Sequence, residues 1–213
     1  MVHVAANQSK QKADKPVHFG TYHHSTAAQS DEIRSWAEKG FVPILLSLHP
    51  ANSPLRILDA GCGVGFLSYV AAKCFPKARV TGVDLFEHKS ISGVPMEKTN
   101  SSMKKLRVAP RISLKRHDLT KPLNSRIGYD LVVSNLVFHN IGKRRFVAYE
   151  NVLGSLKPGG HFILADLFPD AKADMFFPPT FDSDSRSGRA QSRKVESENK
   201  SFGETLYNKF TLT

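Results

Sequence analysis

The 213-residue chain is poor in cysteine and in acid, and it lacks any long apolar run. Its two cysteines, Cys62 and Cys74, are too few for a disulfide framework. Both fall in segments that read as core or loop, so a reducing, intracellular setting is the default. The longest apolar stretch, around Phe41 to Leu48, is interrupted and falls far short of the roughly 20 residues that span a bilayer. Residues Met1 to Gln8 hold no basic segment followed by an apolar one, so no signal peptide is read and a cytoplasmic location is expected. No internal repeat is visible.

The shortage of acid leaves a basic excess: 30 Lys and Arg against 19 Asp and Glu, a net charge of +11. Much of it lies at Lys104, Lys105, Arg107, Arg111, Lys115, Arg116 and Lys121, and at Lys143-Arg144-Arg145. One account is an RNA or other polyanionic partner. The other is solvated helix faces and edge turns. Aromatic residues of the kind that stack bases are not interleaved with the basic ones.

What is present is concentrated in the middle. A hydrophobic fraction of 40% suffices for a core, and most of it lies between Ile33 and Phe168. Residues 1–29 are polar and read as an arm, with Tyr22 and His23 placed to close as a lid. Ser30 reads as an N-cap followed by Asp31 and Glu32, and Gly40 and Pro43 argue for a break before a second helical piece ending near Leu48. From there strands and helices alternate. Strands are expected at 55–59, 78–84, 111–118, 129–134 and 161–166, with helices at 66–74, 96–106 and 144–156 between them. Short Val/Ile/Leu-rich strands separated by helices predict an α/β fold, a Rossmann-like, doubly wound, mostly parallel sheet with helices on both faces. After Asp166 the rhythm stops. Residues 169–213 read as a polar, partly disordered tail with a terminal strand in 201–213, so the C-terminal strands are expected to be atypical or missing. The expected division is therefore an arm over 1–29, a globular domain over 30–168 and the tail.

The chemistry centres on Asp59-Ala-Gly61-Cys62-Gly63-Val-Gly65. Glycine-rich turns are common, but this one follows a strand, precedes a helix and is trailed by an acid about 20 residues on. Glycines let the backbone turn sharply and approach a ligand, and the helix N-terminus offers free N–H groups. The spacing is Gly-x-Gly-x-Gly, and Asp59 stands immediately before it. That carboxylate would repel a pyrophosphate but not an ammonium or a sulfonium. Asp84 ends the second strand, where a carboxylate accepts two ribose hydroxyls; it could equally be a cap or turn residue. Asp118 ends the third strand and could accept from an adenine amino group or close an Asx-type turn before Thr120. No metal ligand set is read.

Leu58 to Phe66 resembles motif I of the class I S-adenosylmethionine-dependent methyltransferases. Val83-Asp84-Leu85, Arg116-His117-Asp118-Leu119, the stretch Asp130 to Asn135 and Leu156 to Gly160 are similar to their later motifs in the same order. The likeness covers about residues 30–168 and is nearest to the methyltransferase-11/UbiE-like group, whose members mostly methylate small molecules. The resemblance implies S-adenosyl-L-methionine as cofactor and S-adenosyl-L-homocysteine as product. It lays the backbone of Gly61, Cys62, Gly63 and Gly65 along the methionine part, with Asp59 near its amino group. Asp84 would hold the ribose, Leu85 would flank the adenine, and Asp118 with Leu119 would meet the adenine edge. Ser134 and Asn135 would line the floor near the methyl group.

The sulfonium already carries the reactive methyl, so such a protein mainly aligns an in-line attack and excludes water. A base is needed only for a protonated nucleophile. His139, just past the fourth strand, is the catalytic candidate, although it could simply pack in its loop. The fourth-strand motif departs from the Asn/Asp-Pro-Pro-Tyr of amide and adenine methyltransferases, which makes a small-molecule acceptor the expectation. An RNA or protein methyltransferase using the basic stretch 104–121, or a cofactor-binding non-catalytic homologue, are the alternatives.

Overall fold

The computed structural model describes residues 17–22, 25–87, 96–123 and 128–167, and the backbone of two further strands, 195–202 and 205–212. A seven-stranded sheet runs through it in the order β3-β2-β1-β4-β5-β7-β6. The strands are β1 (Arg56–Ala60), β2 (Arg79–Asp84), β3 (Ile112–Arg116), β4 (Tyr129–Asn135), β5 (Leu156–Leu167), β6 (Val195–Phe202) and β7 (Thr205–Leu212). The first five pair in parallel, β7 is antiparallel to β5, and β6 is antiparallel to β7. Among the described residues four α-helices accompany them: α1 (Ala27–Leu48), α2 (Phe66–Cys74), α3 (Met96–Lys105) and α4 (Arg145–Leu153).

Alternation along the strands explains why both sheet faces are covered. Ile57, Val80, Leu131, Val133 and Ile163 point into one core with α1, α2 and Met103 of α3. Leu58, Ala60, Val83, Val132, Phe162 and Leu164 point into the other, with α4 and Phe138. Period-2 side-chain direction splits each all-apolar strand between two layers, as expected for strands buried on both sides. The strand order reverses between β1 and β4, and the crevice at their carboxyl ends is where this architecture accepts ligands.

Four expectations change. Helix α1 begins at Ala27 with Thr26 as N-cap, not Ser30, in a capping box with Gln29. It also continues through Gly40 and Pro43 without ending. Ser30, Arg34, Ala37, Phe41 and Leu45 form one unbroken buried stripe, and that tertiary packing outweighs the lost backbone bond at Pro43. The C-terminal strands, expected to be atypical or missing, are both present, and β6 begins at Val195 inside the segment read as polar tail. Strand β5 also starts earlier than expected. Tyr129 pairs with Leu156 and Leu131 with His161, so Lys157 to Gly160 bulge out of a continuing ladder. His23, the stretch 88–95 and the stretch 168–194 lie outside the described residues.

Candidate functional site

Gly61, Gly63 and Gly65 all have positive φ, at 80°, 46° and 81°, so the turn from β1 into α2 is built from conformations that side chains resist. Space is tight as well as φ. A Cβ on Gly61 would lie 2.4 Å from the Val137 methyl groups, and one on Gly65 would lie 2.9 Å from Thr99 Cγ2 and from Met103 Cε. The loop is therefore gripped on one side by the segment after β4 and on the other by α3. Gly61 and Cys62 N–H groups both donate to Val83 O, at 2.8 and 3.0 Å, which fixes the loop to β2.

Asp59 lies beneath this loop with 1% of its surface exposed. Its Oδ2 accepts the Ser68 hydroxyl at 2.6 Å, and the carboxyl group also takes the Ser68 backbone N–H. Helix α2 has Gly65 as N-cap and no side-chain cap of its own. Asp59 supplies that acceptor from the neighbouring strand. Burial nevertheless dominates and pushes its pKa up to about 7, against the pull of the Ser68 bonds and with a smaller push from Asp84. Cys62 is buried beside it, and burial holds its thiol well above the ordinary range.

Asp84 is half-buried and braces two loops at once. Its Oδ2 accepts Gly63 N–H at 2.9 Å and its Oδ1 accepts Phe86 N–H at 2.8 Å. Leu85 beside it is 44% exposed, an unusual exposure for a leucine at a strand end. Asp118 takes both the backbone N–H and the hydroxyl of Thr120 on Oδ1, at 2.9 and 2.8 Å, which is the turn geometry weighed against an adenine contact. Those two bonds hold its carboxyl below the usual carboxylate range. Leu119 is buried in the second core.

The other wall follows β4. Ser134 is fully buried and donates to Ala60 O at 2.7 Å, so its hydroxyl ties β4 to β1 rather than facing the crevice. Asn135 Oδ1 is buried with no hydrogen-bond partner among the described residues. Leu136 has φ of 58°, as Phe86 has 54° after β2. Two non-glycine residues thus hold left-handed backbone just past the carboxyl ends of β2 and β4, a strain that costs about 1 kcal/mol or more each.

His139 begins its run in a 3-10 turn over Phe138–Arg144, and its side chain is 28% exposed. Its Nδ1 bonds Asp166 Oδ1. Asp166 is fully buried at the end of β5, and its Oδ2 accepts the N–H groups of Val137, Phe138 and His139 at 3.2, 2.6 and 3.4 Å. No role was assigned to Asp166 from sequence. The signal was available, because it is the last carboxylate in a series that ends successive strands.

The arm contributes what is described of it. Arg34, 4% exposed, donates to Phe19 O and Gly20 O at 2.9 and 2.7 Å and lies over the Tyr22 ring. Phe19 packs edge-on against Phe66, the first residue after the glycine loop. Asp130 has no part in the crevice. It sits at the start of β4, where it binds Arg56 N–H at 2.7 Å and Lys157 Nζ at 2.6 Å. Burial raises its carboxyl pKa, but these partners outweigh that and leave it lowered. Within the basic stretch, Arg111 caps the end of α2 through Ala72 O and Phe75 O, and Arg116 pairs with Glu87. Among the described residues no group of three or more His, Cys, Asp or Glu is placed to hold a metal ion. No helix among them is long and apolar enough to cross a membrane.

A family model described as a methyltransferase domain matches residues 58–162. A malonyl-[acyl-carrier protein] O-methyltransferase of Priestia megaterium is 32% identical over 120 residues, 56% of this chain and 39% of the relative. A trans-aconitate 2-methyltransferase of Rhodopseudomonas palustris is 32% identical over 130 residues, 59% of this chain and 43% of the relative. The chain thus matches about two fifths of the length of these curated relatives. In fold it is similar to the magnesium protoporphyrin IX methyltransferase of Synechocystis, with TM-score 0.64 and 17% identity over 87% of this chain and 82% of that one. Sheet order, glycine loop and sequence likeness agree: over residues 58–162 the chain is similar to a methyltransferase domain, and its sheet is that of class I S-adenosylmethionine-dependent methyltransferases.

Proposed function

We propose that the chain binds S-adenosyl-L-methionine in the crevice at the carboxyl ends of β1, β2 and β4 and transfers its methyl group in line to a small-molecule acceptor. The observation that carries this is the glycine loop held between Asp59 and Asp84, an arrangement hostile to a pyrophosphate and open to a cation. The residues fit the cofactor by three further features. Asn135 Oδ1 is a buried acceptor in need of a donor, such as the amino group of the methionine part. Leu85 is an exposed apolar surface in need of a flat ring. Asp84 uses one lone pair on each oxygen for backbone and keeps others for a ribose diol.

The loop backbone at Gly61, Gly63 and Gly65 would hold the methionine part, and Asp118 the adenine edge. Asp59 would act from below, through the helix it caps, rather than by open contact. Bound there, the cofactor supplies an electrophilic methyl on a sulfonium, and the protein's work is orientation and exclusion of water. Both named curated relatives are methyltransferases of acids, which supports a small or carrier-borne acceptor.

Titration calorimetry with S-adenosyl-L-homocysteine tests the reading. Asp84→Ala should abolish binding while the melting temperature shows a folded chain. Absence of binding to the unaltered protein would sink the proposal.

A further inference from the structure

Four buried side-chain polar atoms among the described residues lack a hydrogen-bond partner, and two of them belong to neighbouring rings. These are His49 Nε2 and His161 Nδ1. His49 follows the last turn of α1 as its C-cap, and His161 pairs with Leu131 near the start of β4. Both therefore lie toward the amino ends of the strands, away from the crevice. Their rings meet edge to face, with centroids 5.8 Å apart and planes at 78°. Each residue is half-exposed, yet in each the nitrogen without a partner is buried. Leaving a buried polar atom unpaired is costly, and here the cost falls twice at one contact. Asp130 feels the charge of His49 but spends its two oxygens on Arg56 N–H and Lys157 Nζ.

A neutral imidazole has one N–H and one lone pair. Burial first, and then the charge of His49, lower the His161 pKa, so near pH 7 that ring is neutral with a lone pair to give. With the hydrogens on the outer nitrogens, facing water, both lone pairs belong to the buried nitrogens. A tetrahedral ion held about 2.0–2.1 Å from one nitrogen of each ring sets the ring centres roughly 5 Å apart, close to the separation found. We propose that His49 and His161 form a two-histidine site for a late first-row divalent cation such as Zn2+, which clips the end of α1 to β5. The half-exposed rings leave the remaining coordination positions to water. Imidazole nitrogens suit Zn2+, Cu2+ and Ni2+, whereas Mg2+ and Ca2+ seek oxygen. Only the folded chain brings the two rings together, so the ion stabilises it against unfolding. The site stands apart from methyl transfer and does not depend on it.

Zinc titration of the untagged, metal-stripped full chain with 15N-labelled histidines tests this. One equivalent should bind at pH 7.5, raise the melting temperature and move the resonances of His49 Nε2 and His161 Nδ1. Mg2+ should do none of these, and acidification to pH 5 should release the zinc as the rings take up protons. His49→Gln and His161→Gln should each weaken binding by at least the roughly tenfold that losing a group merely supporting a ligand costs. No zinc binding by the unaltered chain overturns the proposal. So does binding that moves the resonances of other histidines instead, or that neither substitution weakens. The resonances are read on the unaltered chain, so they decide the matter even if a variant fails to fold.

Discussion

Asp59 and Asp84 both end strands beside the glycine loop, yet burial separates their chemistry. Asp59 is sealed beneath α2 and held near pKa 7, far above the ordinary value of 3.8. Between those two values the folded chain keeps a proton that the unfolded chain has released. This group's contribution to stability is therefore fully present below about pH 4 and is lost as pH rises through 7. The melting temperature of the wild type should fall more steeply from pH 5 to pH 8 than that of Asp59→Asn, which cannot ionise. Parallel slopes would show that Asp59 is charged throughout. Gly61 offers a second test at this scale. Gly61→Ala forces a side chain into left-handed backbone and into the Val137 methyls, so a loss of about 2–4 kcal/mol is expected in urea unfolding. Asp166 shows how far a single residue can be read from its type. That a carboxylate ends β5 is visible in the sequence, but that it faces the turn after β4 depends on β4 and β5 being neighbours.

Helix α3 is an element whose function its sequence hides. Residues Met96 to Lys105 are mostly polar, with only Thr99 and Met103 buried. Those two, four apart on one face, are the residues that lie on Gly65, and Thr99 Oγ1 also donates to Gly63 O at 3.3 Å. Met103→Ala should therefore cost about 2–5 kcal/mol by cavity formation and should also weaken S-adenosyl-L-homocysteine binding, because the loop loses its outer support. A stability loss with unchanged affinity would show that the loop holds its shape alone. Helix α1 carries the complementary lesson. Its breakers Gly40 and Pro43 are real local signals, overruled because the buried stripe from Ser30 to Leu45 needs an unbroken helix.

At the scale of the molecule, the seven strands close a problem that five would leave open. Without β7 the row of hydrogen-bonding groups on β5 from Phe162 to Leu167 would be an exposed edge on a buried apolar strand. Truncation after residue 194 should yield a chain that scatters light and elutes as aggregate, whereas a monodisperse, cofactor-binding product would show β6 and β7 to be dispensable. The same sheet order places the switch between β1 and β4, so the carboxyl ends of β1, β2, β4 and β5 all converge on one crevice.

Local chemistry alone determined the α/β alternation, the glycine loop and the carboxylates that end the strands. Each of these is a short-range matter of backbone freedom, side-chain period and charge. Only the tertiary structure decided what those groups face. Asp59 turned to Ser68 and Ser134 to Ala60, because in each case the nearest donor or acceptor came from the folded surroundings. Asp166 met His139 across 27 residues of chain for the same reason. Strand β6 was hidden from the sequence by its polar composition, since a strand at a sheet edge is held by backbone bonds that any residue but proline can make.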